Sequence, residues 1–181
     1  MRTPRLLAVA FLGLSLFSAV PALAADPTPE DIAQARSLGE QGQAALDAKK
    51  FADAEKLFTA ANKLYPLAPT LPLGLARAQA GQGKLIAARE SYNRVVREWG
   101  GNTTLSPAFK AAVDAAKTEG DALAPRIANV TITVDGAKDA KVALDDVPVN
   151  TAALGLPRPI DPGVHKLTCW KYRLIIASLA Q

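Results

Sequence analysis

Two spacings of apolar residues divide the chain. Between residues 32 and 123 apolar positions recur three and four apart, the interval of one helical face, whereas beyond Pro125 they alternate every second residue, as on a strand. In residues 51–65 the side chains of Ala54, Leu57, Phe58, Ala61 and Leu64 share one helical face, and Pro66 ends the run because it cannot continue the hydrogen-bond ladder. An earlier helix is predicted from Thr28 or Pro29 through residues 32–49, with proline and acids in its first turn and an Ala, Gln, Leu and Glu-rich body. Residues 71–82 and 86–99 repeat the pair. Gly81 and Gly83 stand between those helices, where the first pair has Ala48-Lys49-Lys50. Ser106 as N-cap with Pro107 behind it opens a fifth helix to about Leu123, carrying Phe109, Val113 and Ala116 on one side.

The helical part echoes itself at an interval of 34 residues: Gly42 returns as Ala76, Phe51 as Leu85, Ala54 as Ala88, Phe58 as Tyr92, Ala61 as Val95 and Tyr65 as Trp99. In most of these pairs small answers small and bulky answers bulky. A fixed period of this length predicts stacked helical hairpins, a build that mostly binds rather than catalyses. The fifth helix suits the cap that covers the last apolar face of such a stack.

In the strand-period region Val130, Ile132 and Val134 alternate with Thr131, Thr133 and Asp135, which predicts a strand with one buried face. Asp135-Gly136 opens a turn region. Val142-Ala143-Leu144 is a second short strand, turned by Asp145-Asp146 toward Val147-Pro148-Val149. Asp161-Pro162-Gly163 is another turn, and residues 165–170 a further strand. Short strands between turn signals predict a small β-sandwich. The expected class is therefore α+β, with a helical domain over 32–123 and a β-domain over 127–181. The residues after Cys169 admit two readings: a final strand that packs its apolar side chains, or a native end replaced by truncation or frameshift.

The helical region resembles the tetratricopeptide repeat family through Leu38, Gly42, Ala54, Phe58, Ala61 and Pro66, and in the second copy through Leu75, Ala76, Ala88, Tyr92 and Val95. The resemblance implies two repeats plus a capping helix, and a concave groove for extended peptides. Two features depart from the family: Pro72 where a bulky residue is usual, and Gly100 where Pro66 stood. The strand region looks like a PEGA-type domain, a small β-sandwich of exported bacterial proteins, through Val142-Ala143-Leu144-Asp145-Asp146-Val147-Pro148-Val149 and Ile160-Asp161-Pro162-Gly163-Val164-His165-Lys166-Leu167. It departs from the family at Asp146, where glycine is usual, and after the Pro-Gly-x-His strand.

The N-terminus changes the picture of where this happens. Arg2 and Arg5, an uncharged and mostly apolar run over 6–20 and the small-residue site Pro21-Ala22-Leu23-Ala24-Ala25 read as a secretory signal peptide, 1–24, cut after Ala24. Residues 25–31 are an extended lead-in. The expected mature chain is exported, to the periplasm or outside the cell, with no membrane span after cleavage and peripheral envelope association at most. Losing both arginines lowers the net charge from +4 to +2. With basic residues dispersed, and with few aromatics among them, nucleic acid is not the expected partner. One cysteine, Cys169, leaves no internal disulfide.

Candidate chemistry is sparse. His165 is the single histidine, and on a strand it would share a face with Cys169, the arrangement of a nucleophile and base, yet no local motif supports one. One His and one Cys do not close a zinc site, and Asp145-Asp146 with Asp135 or Asp139 lack a calcium-loop pattern. Gly81-Gln82-Gly83-Lys84 lacks the strand before it and the hydroxyl after it that a phosphate loop needs. No catalytic, cofactor or metal site is expected. The expectation is a non-catalytic scaffold for a protein or peptide partner, with a permanent structural component of an envelope complex as the alternative. The candidate groove residues are Arg36, Gln43, Asp47 and Arg77 on the first helices of each pair, with Asp114 on the cap. Arg77 is placed to hold a carboxylate as a bidentate donor.

Overall fold

The computed structural model describes residues 26–134, 141–170 and 174–180, the last segment as strand path alone. The predicted signal peptide, the turn at Asp135-Gly136 and Asp139 lie outside the described residues. Five helices come first: α1 (Pro29–Asp47), α2 (Phe51–Leu64), α3 (Thr70–Gly81), α4 (Leu85–Trp99) and α5 (Pro107–Leu123). Each packs on the one before it. Thr28 caps α1 in a reciprocal box, its hydroxyl accepting from Asp31 N and its own N–H donating to the Asp31 carboxylate. Ser106 caps α5 by accepting from Phe109 N, with Pro107 behind it. Pro72 falls in the first turn of α3, where its missing N–H had no helical partner to lose, and it is buried there.

Apolar side chains fill two helical clusters. One gathers Ala35, Ala54, Phe58, Ala61 and Leu71 between α1, α2 and α3. The other gathers Leu73, Leu85, Ala88, Tyr92, Val95 and Val113 between α3, α4 and α5. Within the first cluster the Phe58 ring also lies against the backbone at two glycines. A Cβ at Gly42 would sit 2.9 Å from its ring, and one at Gly74 would overlap it, so only glycine lets α1 and α3 close on this ring.

The turns inside the two hairpins are the same structure 34 residues apart. Ala48 N donates to Ala44 O, Lys49 N to Leu46 O and Lys50 N to Ala45 O; Gln82 N donates to Ala78 O, Gly83 N to Ala80 O and Lys84 N to Gln79 O. Both hairpins place one residue in the left-handed region, Lys49 at φ 56° and Gly83 at φ 79°. The second copy uses glycine there, and the first bears the steric cost of a Cβ.

A short 3₁₀ turn, Ala124–Arg126, leads into six strands: β1 (Ala128–Val134), β2 (Lys141–Leu144), β3 (Val147–Val149), β4 (Pro157–Ile160), β5 (Leu167–Trp170) and β6 (Leu174–Ala180). They form two three-stranded antiparallel sheets, in the orders β4-β1-β6 and β3-β2-β5. Ile132 and Ile160 from the first sheet share a core with Val142, Leu144 and Val149 from the second. The α+β class read from the chain is the observed one. The fifth strand begins at Leu167, two residues later than expected, which leaves His165 in the preceding turn. β4 escaped the sequence pattern because Pro157 and Pro159 suppress strand signals; the structure puts it on a sheet edge, where missing N–H groups cost no ladder bonds. β6 pairs with β1 from Asn129↔Ala180 to Val134↔Leu174, so the segment after Cys169 contains a strand.

Candidate functional site

The arrangement of α1, α3 and α5 opens one small cleft at their N-terminal ends. Ile32 and Arg36, one turn apart on α1, form one wall. Thr70 and Leu71 at the head of α3 form another, Phe109 of α5 a third, and Tyr65 and Ala68 of the α2–α3 connection the floor; together they enclose about 150 Å³. The geometry follows from small residues: Leu71 comes so near α1 that a Cβ at Gly39 would be 3.0 Å from its Cδ2. Phe109 and Tyr65 also pack on the first helical cluster, which fixes their rings. Arg36 is exposed, and among the described residues no carboxylate lies within ion-pair reach of it. An uncompensated guanidinium over apolar walls can hold a carboxylate while an adjoining apolar group enters the cleft.

The other four groove candidates are elsewhere. Gln43 and Asp47 engage each other along α1, Nε2 donating to Oδ1 at 2.8 Å. Asp114 is exposed on α5 and borders a different hollow, beside Trp99, Lys110 and Val113. Arg77 does hold a carboxylate in two-pronged fashion, but it is the protein's own: Nε reaches Glu119 Oε2 at 3.0 Å and Nη2 reaches Oε1 at 2.6 Å. Tyr92 Oη donates to the same carboxylate at 2.8 Å. Burial pushes the Glu119 carboxyl up, but the donors from Arg77 and Tyr92 outweigh it and hold it below the ordinary carboxylate range. Burial, with that carboxylate beside it, drives the Tyr92 phenol well above its ordinary value. Arg77 is therefore a tie between α3, α4 and α5 and leaves the list of groove donors. The partner lies 42 residues away on another helix, so no local pattern announced it.

Residues missed by the sequence reading are Ile32, Tyr65, Thr70, Leu71 and Phe109. Ile32, Leu71 and Phe109 are apolar positions near helix starts, which read as core unless the adjacent helix leaves a gap; Tyr65 at the end of α2 and the polar Thr70 carried no such signal.

His165 and Cys169 do not form a nucleophile and base. His165 turns both ring nitrogens elsewhere, Nδ1 to Asp145 Oδ2 at 2.6 Å and Nε2 to the Asp161 carbonyl at 2.7 Å. Cys169 packs on the strand core from β5. Among the described residues no group of three or more His, Cys, Asp or Glu is placed to hold a metal ion, and no helix is long and apolar enough to cross a membrane. No family model, curated protein or solved structure matches the chain.

Proposed function

We propose that this protein is an exported, non-catalytic scaffold of the bacterial cell envelope that docks a peptide segment of a partner protein in the cleft of α1, α3 and α5. In this reading the five helices are two tetratricopeptide-like repeats and a cap, and the two sheets are a PEGA-like sandwich. What supports the repeat assignment is the recurrence of the same turn hydrogen bonds 34 residues apart. The observation that carries the docking reading is Arg36, an exposed cation with no carboxylate near it among the described residues, set above the apolar walls of Ile32, Leu71 and Phe109. The favoured segment presents an apolar side chain beside a carboxylate.

Selection from a displayed library of short random peptides tests this. Enriched sequences should share the apolar–acidic pairing, and Arg36→Glu should abolish the enrichment. Equal enrichment by both proteins would contradict the docking reading. A second reading, permanent assembly into an envelope complex, draws on exposed apolar side chains in the sheet β3-β2-β5, where Val147 and Trp170 are more than half exposed. A chain that is never recovered free of neighbours would favour it.

A further inference from the structure

His165 is coordinated in a way that only one protonation state satisfies. Its Nδ1 faces a carboxylate oxygen of Asp145, and its Nε2 faces a backbone carbonyl oxygen, that of Asp161. Both are acceptors. A neutral imidazole has a single N–H, so it would leave a nitrogen lone pair against one of them; the imidazolium donates to both.

The residue gripped through its carbonyl has a second task. Asp161 Oδ1 accepts from Ile86 N, 2.8 Å away, at the head of α4. That helix start lacks a cap of its own, for Lys84 in the N-cap position makes no side-chain cap bond. The strand unit thus supplies an acid to the free N–H groups and positive end of a helix in the helical unit. Among the described residues this is the side-chain hydrogen bond that joins the two units. At the connection through Ala124–Arg126, Ile127 also packs on the second helical cluster.

We propose that His165 is a proton-operated latch: as imidazolium it clamps the Asp161 turn between the Asp145 carboxylate and the head of α4, and on losing its proton it releases the strand unit from that helix. The charges around it are accounted for. Asp145 is held in place by Lys166 N, which donates to Oδ1 at 2.8 Å. The Lys166 ammonium is drawn away to Asp146 at 3.0 Å, and the Lys84 ammonium at the head of α4 to Glu55 at 2.6 Å. No cation is therefore bonded to Asp145 or Asp161 in competition with His165 among the described residues. The ring is 24% exposed, enough for exchange of its proton with solvent. The hydrogen bonds to Asp145 and Asp161 also raise its pKa above the ordinary histidine value.

The test is a titration of the full chain between about pH 5 and 9, reading the His165 ring and the Ile86 amide by NMR in one sample series. The expected result is a His165 midpoint above the ordinary value of about 6.5 and an Ile86 amide that shifts with the same midpoint. In Asp161→Ala the ring should still titrate while the Ile86 amide no longer follows. An Ile86 amide indifferent to the His165 transition in the unaltered chain overturns the latch. So does an amide that still follows it in Asp161→Ala, or a His165 midpoint at or below about 6.5.

Discussion

Phe58 shows what a single side chain decides in this fold. Its ring is wedged between the glycine backbones of α1 and α3, whereas its 34-residue counterpart Tyr92 is buried in the second helical cluster, with Gly120 of α5 against its Cβ and its hydroxyl on Glu119. Gly74→Ala forces a methyl into the Phe58 ring, and overpacking of that kind should cost about 1–3 kcal/mol, read as a lower midpoint in denaturant. Ala54→Trp, at a site with no exposed surface, should cost at least as much; unchanged thermal stability would remove the hairpin assignment. Glu119→Ala strands the half-buried Arg77 and the Tyr92 hydroxyl. Because both charged groups keep about a third of their surface in water, the expected loss is about 1–2 kcal/mol rather than that of a fully buried pair, and urea unfolding would measure it. The small–aromatic alternation behind Phe58 was legible in the sequence because it is periodic. The tie from Arg77 to Glu119 was not, since it depends on how α3 and α5 meet.

Among the elements, the turns carry the clearest consequences. Lys49 pays for a left-handed backbone that Gly83 adopts freely. Lys49→Gly should therefore stabilise the first hairpin by about 0.5–1 kcal/mol, and Gly83→Ala should weaken the second by a similar amount, both measurable by thermal unfolding. The two-residue loop of the β2–β3 hairpin, Asp145-Asp146, has φ of 51° and 63°, the geometry of a type I′ turn. The chain shows Asp-Asp where glycine would relieve the second position. Asp146→Gly should be neutral or stabilising, whereas Asp145→Gly should destabilise because His165 and Lys166 N both lose their acceptor. The pH dependence has a definite sign. His165 binds its proton more tightly folded than unfolded, so its contribution is complete below about pH 6.5 and is lost as pH rises through the folded value. Asp145 is shifted down, so its contribution exists above about pH 4 and is lost as pH falls through its folded value. Thermal melts should show the strand unit losing stability as pH rises above about 6.5, and His165→Gln should flatten that slope. The turn at Asp145-Asp146 was legible; β4 was hidden by its prolines, and the start of β5 was placed early because His165 reads as a strand residue until its two acceptors are seen.

For the whole molecule, periodicity was enough to anticipate five helices followed by strands, because burying one face of each element is what a period reports. It was not enough to locate a site. The cleft exists through the mutual placement of three helix starts, and of the residues first assigned to a groove only Arg36 borders it. Export adds an expectation at this scale: expressed in a bacterium, the protein should be recovered outside the cytoplasm with Ala25 at its N-terminus by intact-mass measurement. The measurement closest to the central claim is amide chemical-shift mapping of the full chain titrated with a library-selected apolar–acidic peptide. The account predicts shifts centred on Ile32, Arg36, Leu71 and Phe109, absent in Arg36→Glu. Shifts centred instead on the outer faces of α2 and α4, or on the strands, would contradict it.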